Sequence, residues 1–293
     1  MLDFRIETFL EVCKDMNFTK AAKRLNLTQP AVSQHVKWLE EKYQARLFDM
    51  QGKKVCLTPA GEMLKNSSAT MQHDISFLKE KMQETSSKKR EIKMGLTLTI
   101  AEFEMADHIS RLLYREPEMS MTISVENTNG LLQKLEGGII DFALVEGNFP
   151  GTIYHHELYS KQRYIAVCSP RESLAHGTYT ISQLLDHRLI LREAGSGTRN
   201  IMEHYLEMKG LSVDDFSSRI ETGNIGLIKK LVINGCGISF LYQTAVRKEL
   251  EEGSLCEIAL SDMEITHDFN FIWRENSIFS EDYRKFFKIL KAQ

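Results

Sequence analysis

The spacing of apolar residues changes once along this 293-residue chain, and the change divides the sequence into two parts. Up to about residue 85 the spacing is mostly that of amphipathic helices, whereas from Ile92 apolar and polar residues alternate as in a strand. The chain is also longer than a typical single domain, and 42% of its residues are hydrophobic. We therefore expect a small helical domain followed by a larger α/β domain.

Three short helices are predicted in the first part of the chain. Residues 6–13 place apolar side chains on one helix face, and Asp3 is a candidate cap for the start of that helix. Thr19 is a candidate N-cap for a second helix. Thr28 precedes a third helix, with Pro30 in the first turn, where a missing N–H group costs little. Two short helices joined by a tight turn are typical of a helix-turn-helix.

The third predicted helix has one apolar and one polar face. Its polar residues are Gln29, Ser33, Gln34 and Lys37, opposite Val32, Val36 and Leu39. Amide, hydroxyl and ammonium groups can bond to base edges or phosphates in a major groove of DNA. We assign this face, together with Thr28 and Pro30, to DNA binding. For any one of these residues, an ordinary solvated helix face is the alternative.

A short hairpin with a basic tip is predicted next. Apolar residues on both sides of Gln51-Gly52-Lys53-Lys54 indicate two strands, and the two lysines could contact an adjacent phosphate. Residues 1–60 hold ten Lys and Arg against seven Asp and Glu, a charge of +3, in a chain whose formal total is −3. This mild asymmetry suits contact with nucleic acid.

A long helix is predicted from Pro59 to about Thr85, which would span about 40 Å at 1.5 Å per residue. Its apolar stripe consists of Leu64, Met71, Ile75, Leu78 and Met82. The stripe is too long to be buried by a 60-residue domain, so we expect a partner helix to cover it in a homodimer. The alternative is packing against the C-terminal body of the same chain. Residues 86–90 are predicted to form a polar hinge.

The remainder of the chain alternates predicted strands and helices. Strands are expected at 92–100, 121–125, 142–145, 164–168, 189–191, 237–241 and 269–273, with helices between them, including 198–209 and 224–234. This order favours open, largely parallel sheets that bind ligands at the carboxyl ends of the strands. We place domain boundaries at 1–58, 59–90 and 91–293. The last domain divides into lobe I, about 91–163 and 266–293, and lobe II, about 164–265, with a cleft between them.

The turn at Glu193–Arg199 is a candidate anion site because it follows a strand and opens a helix. The predicted effector-binding residues are Gly195, Ser196, Gly197 and Thr198, with Thr97 and Thr99 across the cleft and Asn224 at another helix start. A carboxylate or another oxyanion would suit these hydroxyl and N–H groups. Alternatively, Ser196 or Thr198 only caps the helix, Asn224 does the same for its own helix, and either cleft threonine is an ordinary strand residue.

An enzymatic function is not indicated. Ser196 does not form a nucleophile elbow, because the positions two before and two after it are Ala194 and Thr198 rather than glycine. The adjacent histidines, His155 and His156, have no carboxylate placed to orient them. We therefore expect a protein without a catalytic site, metal or cofactor.

The five cysteines show no paired short spacing, so they indicate neither a disulfide framework nor a zinc site. A thiol sensor using Cys168 or Cys236 is the alternative to control by a ligand, although an apolar environment would make either thiol inert. The sequence also has no apolar stretch of membrane-spanning length, and acidic residues near its start argue against a secretory leader. We expect a cytoplasmic protein that does not contact the membrane.

From about residue 2 to its C-terminus the chain resembles the LysR-type transcriptional regulators. The motifs that carry this are Phe9-Leu10, Phe18-Thr19-Lys20-Ala21-Ala22, Thr28-Gln29-Pro30-Ala31-Val32-Ser33, Leu39-Glu40, Leu47-Phe48 and Leu57-Thr58-Pro59-Ala60-Gly61. Met50 departs from the pattern, which usually has arginine there. The C-terminal body is similar to the sulfur- and selenium-related branch through Gly95–Phe103, Asp141–Gly147, Arg192–Arg199 and Asn234–Leu241.

This resemblance implies a winged helix-turn-helix, a linker helix and a periplasmic-binding-protein-like effector domain of two lobes. It also implies a homodimer formed by the linker helices, commonly assembled into a tetramer, which binds a palindromic double-stranded DNA operator. The implied function is a transcriptional regulator whose operator binding responds to a small-molecule effector.

Overall fold

The computed structural model describes residues 3–52, 54–84, 91–147 and 149–291. Its N-terminal part is a helical domain with a two-stranded hairpin. The elements are α1 (Phe4–Asp15), α2 (Phe18–Arg24), α3 (Gln29–Tyr43), β1 (Phe48–Gln51) and β2 (Lys54–Leu57). The predicted winged helix-turn-helix is confirmed.

Side chains cap the start of each of these helices. Asp3 and Thr28 cap α1 and α3, as the sequence predicts. α2 is capped by Asn17, whose Oδ1 accepts a hydrogen bond from the N–H of Lys20 at 2.9 Å. The prediction of Thr19 as the cap was wrong, because the helix begins at Phe18 and Thr19 lies within its first turn.

The core of the DNA-binding domain forms where α1, α2 and α3 pack against each other and against the hairpin. Phe9, Val12, Val32 and Leu39 are completely buried there. The helical spacing of apolar residues therefore identified the inward faces of α1 and α3.

The linker helix α4 (Pro59–Glu84) has 26 residues and is about 39 Å long. One of its faces packs against the C-terminal body of the same chain, burying Thr70, His73 and Asp74. The sequence offered intrachain packing only as the alternative, yet it holds for this polar face. The predicted hinge at residues 86–90 lies outside the described residues.

The predicted apolar stripe is less buried than the polar face. Met71, Leu78 and Met82 remain 54%, 42% and 66% exposed. Ile75 is half-buried, and Leu64 packs against the core of the DNA-binding domain. The stripe is therefore exposed to solvent at Met71, Leu78 and Met82. Leu64, near the start of α4, is instead partly covered by the DNA-binding domain of the same chain.

Buried polar contacts fasten α4 to the body. Arg274 donates from Nε to Oγ1 of Thr70 at 3.0 Å and from Nη2 to the carbonyl of Asn66 at 2.9 Å. The Asp74 carboxylate accepts from the hydroxyl of Ser277 at 2.6 Å and from the N–H of Ile278 at 2.9 Å. Bonds to charged groups in a buried setting are among the stronger ones, so this part of α4 moves with the body.

His73 adds a buried charge to this junction. Its two ring nitrogens lie 3.5 Å from Asp74 and 3.5 Å from Asp141. Burial opposes the charged imidazolium, but the two carboxylates outweigh it and raise the pKa of His73 to about 9. The histidine is therefore protonated at neutral pH.

The C-terminal body has two lobes, between which the chain crosses twice. The first lobe contains β3 (Glu91–Leu96), α5 (Leu98–Ile100), a π-helical turn (Ala101–Met105), α6 (Ala106–Arg115), β4 (Ser120–Val125), α7 (Thr128–Glu136) and β5 (Phe142–Val145). The chain then crosses along β6 (Tyr154–Cys168). The second lobe contains β7 (Thr178–Tyr179), β8 (Arg188–Leu191), α8 (Gly197–Met208), β9 (Ser218–Glu221), α9 (Ile225–Ile233), β10 (Ser239–Tyr242), α10 (Gln243–Glu251) and β11 (Cys256–Leu260), with short 3-10 helices at Ser173–His176, Ile181–Leu184 and Val213–Asp215. The chain returns along β12 (Ile265–Arg274) and ends in α11 (Ser280–Lys291).

The sheets are mixed rather than largely parallel. β3 pairs in parallel with β4 and β5, and β8 with β9, but β12 pairs antiparallel with both β5 and β6. The expectation of largely parallel sheets was wrong because the two crossing strands run in opposite directions and pair along ten register positions. The fold class, with its two lobes, is as predicted.

The first lobe is built around large aromatic side chains. The ring of Phe142 lies 4.9 Å from that of Phe271 and 4.9 Å from that of Phe286, measured between centroids, and Trp273 and Tyr283 are buried beside them. Among the residues that the structure describes, no helix is long and apolar enough to cross a membrane.

Candidate functional site

The polar face of α3 is open to solvent. Gln29, Gln34 and Lys37 are exposed, and Ser33 is half-buried. The Gln29 amide donates a hydrogen bond to the Ser33 hydroxyl at 2.9 Å, and Lys37 lies 3.8 Å from Glu41. Both contacts are at the surface, so these side chains can exchange them for contacts with a nucleic acid.

The remaining predicted DNA-binding residues lie at the start of α3 and on the hairpin. Thr28 and Pro30 are exposed at the helix start, where the Thr28 hydroxyl also caps the helix. Lys54 is exposed at the start of β2, opposite Gln51. Lys53 lies outside the described residues. The hairpin therefore presents at least one ammonium group on the protein surface.

A buried carboxylate lies where the two lobes meet. Glu146 directly follows β5 and is 1% exposed. Its Oε1 accepts hydrogen bonds from the hydroxyls of Thr99, at 3.2 Å, and Thr198, at 2.7 Å. Because Thr99 belongs to the first lobe and Thr198 to the second, Glu146 joins the two lobes through one oxygen atom.

All four residues predicted to supply effector-binding hydroxyls are buried. Thr97 follows the end of β3, and Thr99 lies in α5 rather than in the strand. Ser196 precedes α8 without a side-chain capping bond, and Thr198 bonds to Glu146 instead of capping. Capping therefore does not account for either of these two hydroxyls.

Asn224 caps a helix and does not join the cluster of hydroxyls around Glu146. Its Oδ1 accepts a hydrogen bond from the N–H of Leu227 at 2.8 Å and so caps α9. The residue is exposed, and among the described residues no hydrogen bond links it to Glu146. The capping alternative describes Asn224, and we omit it from the site.

Two glycines allow the lobes to approach backbone to backbone. A Cβ atom on Gly197 would lie 2.4 Å from the carbonyl oxygen of Glu146, and one on Gly147 would lie 2.6 Å from the Cα of Gly197. Gly195 has φ of +88° and lies against the amides of Asn127 and Asn129 in the first lobe. A side chain at Gly147 or Gly197 would force the lobes apart.

The surroundings of Glu146 shift its pKa in opposite directions. Burial raises its pKa to about 7, although the bonds from Thr198 and Thr99 and the positive charge of Arg192 favour the ionised form. Arg192 is itself 3% exposed, and its Nε and Nη2 pair with Glu193 at 2.8 and 3.0 Å. Sequence reasoning missed both Glu146 and Arg192. The available signal was their position, since each charged residue directly follows a buried apolar strand.

Several buried polar atoms at this junction have no hydrogen-bond partner among the described residues. They are Oγ1 of Thr97, Oε2 of Glu146, Oγ of Ser196 and Nη1 of Arg192. Buried polar groups are normally hydrogen-bonded, because leaving one unsatisfied costs about 1–3 kcal/mol. Because these atoms lie together around one carboxylate, a small polar molecule bound here could form hydrogen bonds with several of them.

A second contact holds the lobes together beside this site. Glu104, in the π-helical turn of the first lobe, accepts hydrogen bonds from Thr244 of the second lobe at 2.5 Å and from Gln162 at 3.2 Å. Lys229 of the second lobe lies over the ring of Phe103, 4.9 Å from its centroid. This contact is separate from the cluster around Glu146.

The thiols lie away from this junction. Cys168 is completely buried at the end of β6, and burial raises its pKa to about 12. It lies opposite Cys256 of β11 in the strand register, whereas Cys236 is half-buried near the apolar cluster that includes Val232. Within the described residues, no group of three or more His, Cys, Asp and Glu residues is arranged to hold a metal ion.

The comparisons with known proteins agree with this architecture. The family model described as "LysR substrate binding domain" matches residues 85–293, and the one described as "Bacterial regulatory helix-turn-helix protein, lysR family" matches residues 5–62. The regulator CysL of Bacillus subtilis (strain 168) is 27% identical over 274 residues, which cover 91% of this chain and 89% of CysL.

Solved structures show the same fold. A C206 mutant of Corynebacterium glutamicum OxyR has a TM-score of 0.59 and 23% identity, covering 99% of this chain and 90% of that one. The regulatory domain of Synechocystis PCC6803 CcmR, in complex with 2-PG, has a TM-score of 0.62 and 20% identity, covering 69% of this chain and 96% of that one. Because the first family model alone matches well over half of the sequence, the chain belongs to the LysR family of DNA-binding transcriptional regulators, which are not enzymes.

Proposed function

We propose that this regulator binds a small oxyanion between its two lobes and that this ligand controls its binding to operator DNA. The observation that carries the proposal is the cluster at the lobe junction, where Thr97, Ser196 and Arg192 each have a buried polar atom without a partner. All three can donate hydrogen bonds, and an oxyanion can accept from all of them at once.

The electrostatics of the second lobe support an anionic ligand. α8 is twelve residues long, and its first N–H groups point toward the turn that contains Ser196. A helix N-terminus favours negative charge, and the buried guanidinium of Arg192 adds a permanent positive charge nearby. The regulatory domain of CcmR, which has the same fold, forms a complex with the small ligand 2-PG.

The DNA-binding surface that we propose consists of the exposed face of α3 and the tip of the hairpin. Gln29, Ser33, Gln34 and Lys37 would contact base edges or phosphates, with Thr28 and Pro30 placing the helix start against the DNA backbone. Lys54, and Lys53 beside it in sequence, would contact an adjacent phosphate. We place this activity in the cytoplasm, where the chromosome of a bacterial cell lies.

The open part of α4 supports a homodimer. Met71, Leu78 and Met82 expose an apolar surface along a helix that is already fastened to its own body on the other face. A second copy of α4 would cover this surface, with Ile75 at its edge and Leu64 shared between the DNA-binding core and the dimer. We propose a dimer formed in this way, assembled further into a tetramer.

Because α4 is held against the C-terminal body, it can transmit a change in the arrangement of the lobes to the DNA-binding domain. The effector would stabilise one arrangement of the lobes, and Arg274 and Asp74 would carry that arrangement to α4. The spacing of the two DNA-binding domains in a dimer then follows the linkers. A coupling free energy of about 1–3 kcal/mol is typical of such control.

Calorimetry tests the proposed site. Sulfate, acetate and other small oxyanions should bind the wild-type protein, and Thr198→Val, which deletes the hydroxyl and keeps the shape, should weaken binding at least fivefold. Ser196→Ala should do the same, whereas Asn224→Ala should leave the affinity unchanged and lower only the stability of α9. Equal affinity in wild type, Thr198→Val and Ser196→Ala would place the pocket elsewhere.

Thiol control remains the weaker alternative, favoured by one observation. Cys168 and Cys256 are direct neighbours across an antiparallel pair of strands, a partner for Cys168 that the sequence did not indicate. The buried thiol with its raised pKa argues against rapid oxidation. A peroxide-induced change in operator binding that is lost in Cys168→Ser or in Cys236→Ser would favour this alternative over control by a ligand.

A further inference from the structure

The hydrogen bonds to Glu146 are distributed unevenly between its two oxygens. Oε1 accepts from both Thr99 and Thr198, whereas Oε2 has no hydrogen-bond partner among the described residues. The two oxygens of an ionised carboxylate are equivalent, and both attract donors. A protonated carboxyl instead has one oxygen that only accepts and one O–H group that donates. In the protonated form, Oε1 would accept from both hydroxyls and the Oε2–H group would be left to donate to a ligand.

The groups around Glu146 also favour its neutral form when an anion is bound. Thr97, Ser196 and Arg192 lie around the same junction with unused donors, so an oxyanion attracted by them would come close to Glu146. Two negative charges close together in a buried site repel each other strongly. A neutral Glu146 removes that repulsion and adds one more hydrogen-bond donor for the ligand.

We propose that Glu146 meets the effector as a neutral carboxylic acid, with Oε2–H donating a hydrogen bond to the oxyanion. Binding at pH values where the free protein has an ionised Glu146 then takes up one proton from water. This inference rests on the oxyanion site proposed above and assigns the chemistry of that site. It makes the regulator's affinity for its effector dependent on pH.

The charged and ionisable groups that face Glu146 come from several elements. Arg192, at the end of β8, keeps its charge, and Glu193 is paired with it at 2.8 Å. Tyr164 of β6 and Tyr242 of β10 are completely buried, which raises the pKa of each phenol well above its ordinary value. The neighbours from α5 and α8 are the hydroxyls of Thr99 and Thr198. Glu146, with its pKa near 7, is therefore the group that changes charge here.

Calorimetric titrations with sulfate and with acetate at pH 6 and pH 8 test the inference, because neither anion changes its charge between these values. With a pKa of about 7 for Glu146, the neutral form falls from most of the population to a small fraction, so we expect about tenfold weaker binding at pH 8. Repeating the titration at pH 8 in buffers of different ionisation enthalpy should show uptake of nearly one proton.

Glu146→Gln and Glu104→Gln are the matched variants. Glutamine keeps the shape of Glu146 and offers an N–H donor at every pH, so we expect sulfate and acetate to bind Glu146→Gln with an affinity near that of the wild type at pH 6 and with no pH dependence. Glu104 also joins the lobes, through Thr244, but lies outside the site. Glu104→Gln should keep the tenfold pH dependence, which separates loss of a lobe contact from loss of the titrating group.

Two other outcomes would overturn the inference. If wild-type binding strengthens from pH 6 to pH 8, or Glu146→Gln loses binding, Glu146 acts as an ionised acceptor for a donor on the ligand, while weakened binding in Thr198→Val would still support the site. If both probes fail to bind the wild type, or bind it and Thr198→Val equally, the oxyanion site itself is wrong and the inference falls with it.

Discussion

The hydroxyl of Thr198, in the first turn of α8, donates a 2.7 Å hydrogen bond to Oε1 of Glu146, which follows β5 in the other lobe. This contact places the start of a helix, a buried carboxylate and the lobe junction within one small volume. Opening of the lobes at this point would lengthen or break it. The contact is therefore a direct sensor of the arrangement of the two lobes.

Gly197→Ala should separate the lobes at this point. The added Cβ would lie 2.4 Å from the carbonyl oxygen of Glu146, a backbone atom that cannot rotate away. We expect a lower melting temperature and at least tenfold weaker binding of sulfate. Gly151→Ala is the matched control, since nothing lies within 4 Å of the Cβ that it adds. Unchanged sulfate binding in Gly197→Ala would show that lobe closure is not needed at this contact.

Much of the fold could be predicted from the sequence, because helical or strand spacing is visible wherever one face of an element is buried. α3, β5 and α8 lie within a few residues of their predicted positions. The first half of β6 could not be predicted in this way. Its half-buried positions there carry polar side chains, among them His155, Glu157 and Gln162, so no apolar run marks the strand.

The hydroxyls of the candidate site could also be predicted, but the carboxylate that joins them could not. A strand end and a helix start are recognisable in a sequence, and they led to Thr97 and Thr198. The Glu146 carboxylate is held by hydrogen bonds from residues 47 and 52 positions away along the chain, Thr99 and Thr198. A charged side chain after a buried strand is more often solvated than buried, so position alone did not single out Glu146 or Arg192.

Operator recognition should depend on the exposed amides of α3. In Gln29→Ala/Gln34→Ala we expect the loss of about 1–3 kcal/mol of binding free energy for each base contact removed, together with relaxed sequence preference. Lys54→Ala should weaken binding to all sequences alike and reduce its salt dependence, because a phosphate contact is removed. Fluorescence anisotropy with operator fragments selected from random DNA measures both effects. Wild-type affinity in the double variant would contradict the assignment.

Two charges on the open stripe of α4 should split the dimer. Met71→Glu/Leu78→Glu places carboxylates on side chains that are 54% and 42% exposed, so the folded chain should tolerate them while an apolar interface should not. Sedimentation velocity is expected to show monomers with unchanged helical content. Glu substitution of Met208, which is 66% exposed on α8, is a control that should leave assembly intact. A folded dimer in the double variant would mean that another surface holds the subunits together.

The junction between α4 and the first lobe should weaken as the pH rises. The pKa of His73 is raised from 6.5 to about 9, so its stabilisation is fully present below about pH 6.5 and is lost as the pH rises through 9. Chemical denaturation should show the free energy of unfolding of the wild type falling toward that of His73→Asn over this range, by up to roughly 3 kcal/mol. The exposed His204, replaced by Asn, is the control. A constant difference between wild type and His73→Asn from pH 6.5 to 9 would show that His73 is not charged in the folded protein.

The central claim is that an oxyanion held between the lobes controls operator binding, and it is tested most directly by one titration. Anisotropy of a selected operator fragment is measured with wild type and with Thr198→Val, each with and without a saturating concentration of the small oxyanion that binds the wild type most tightly. We predict that the anion changes the operator affinity of the wild type about 5- to 150-fold and changes that of Thr198→Val by a smaller factor. An equal response of both proteins to the anion would contradict the account.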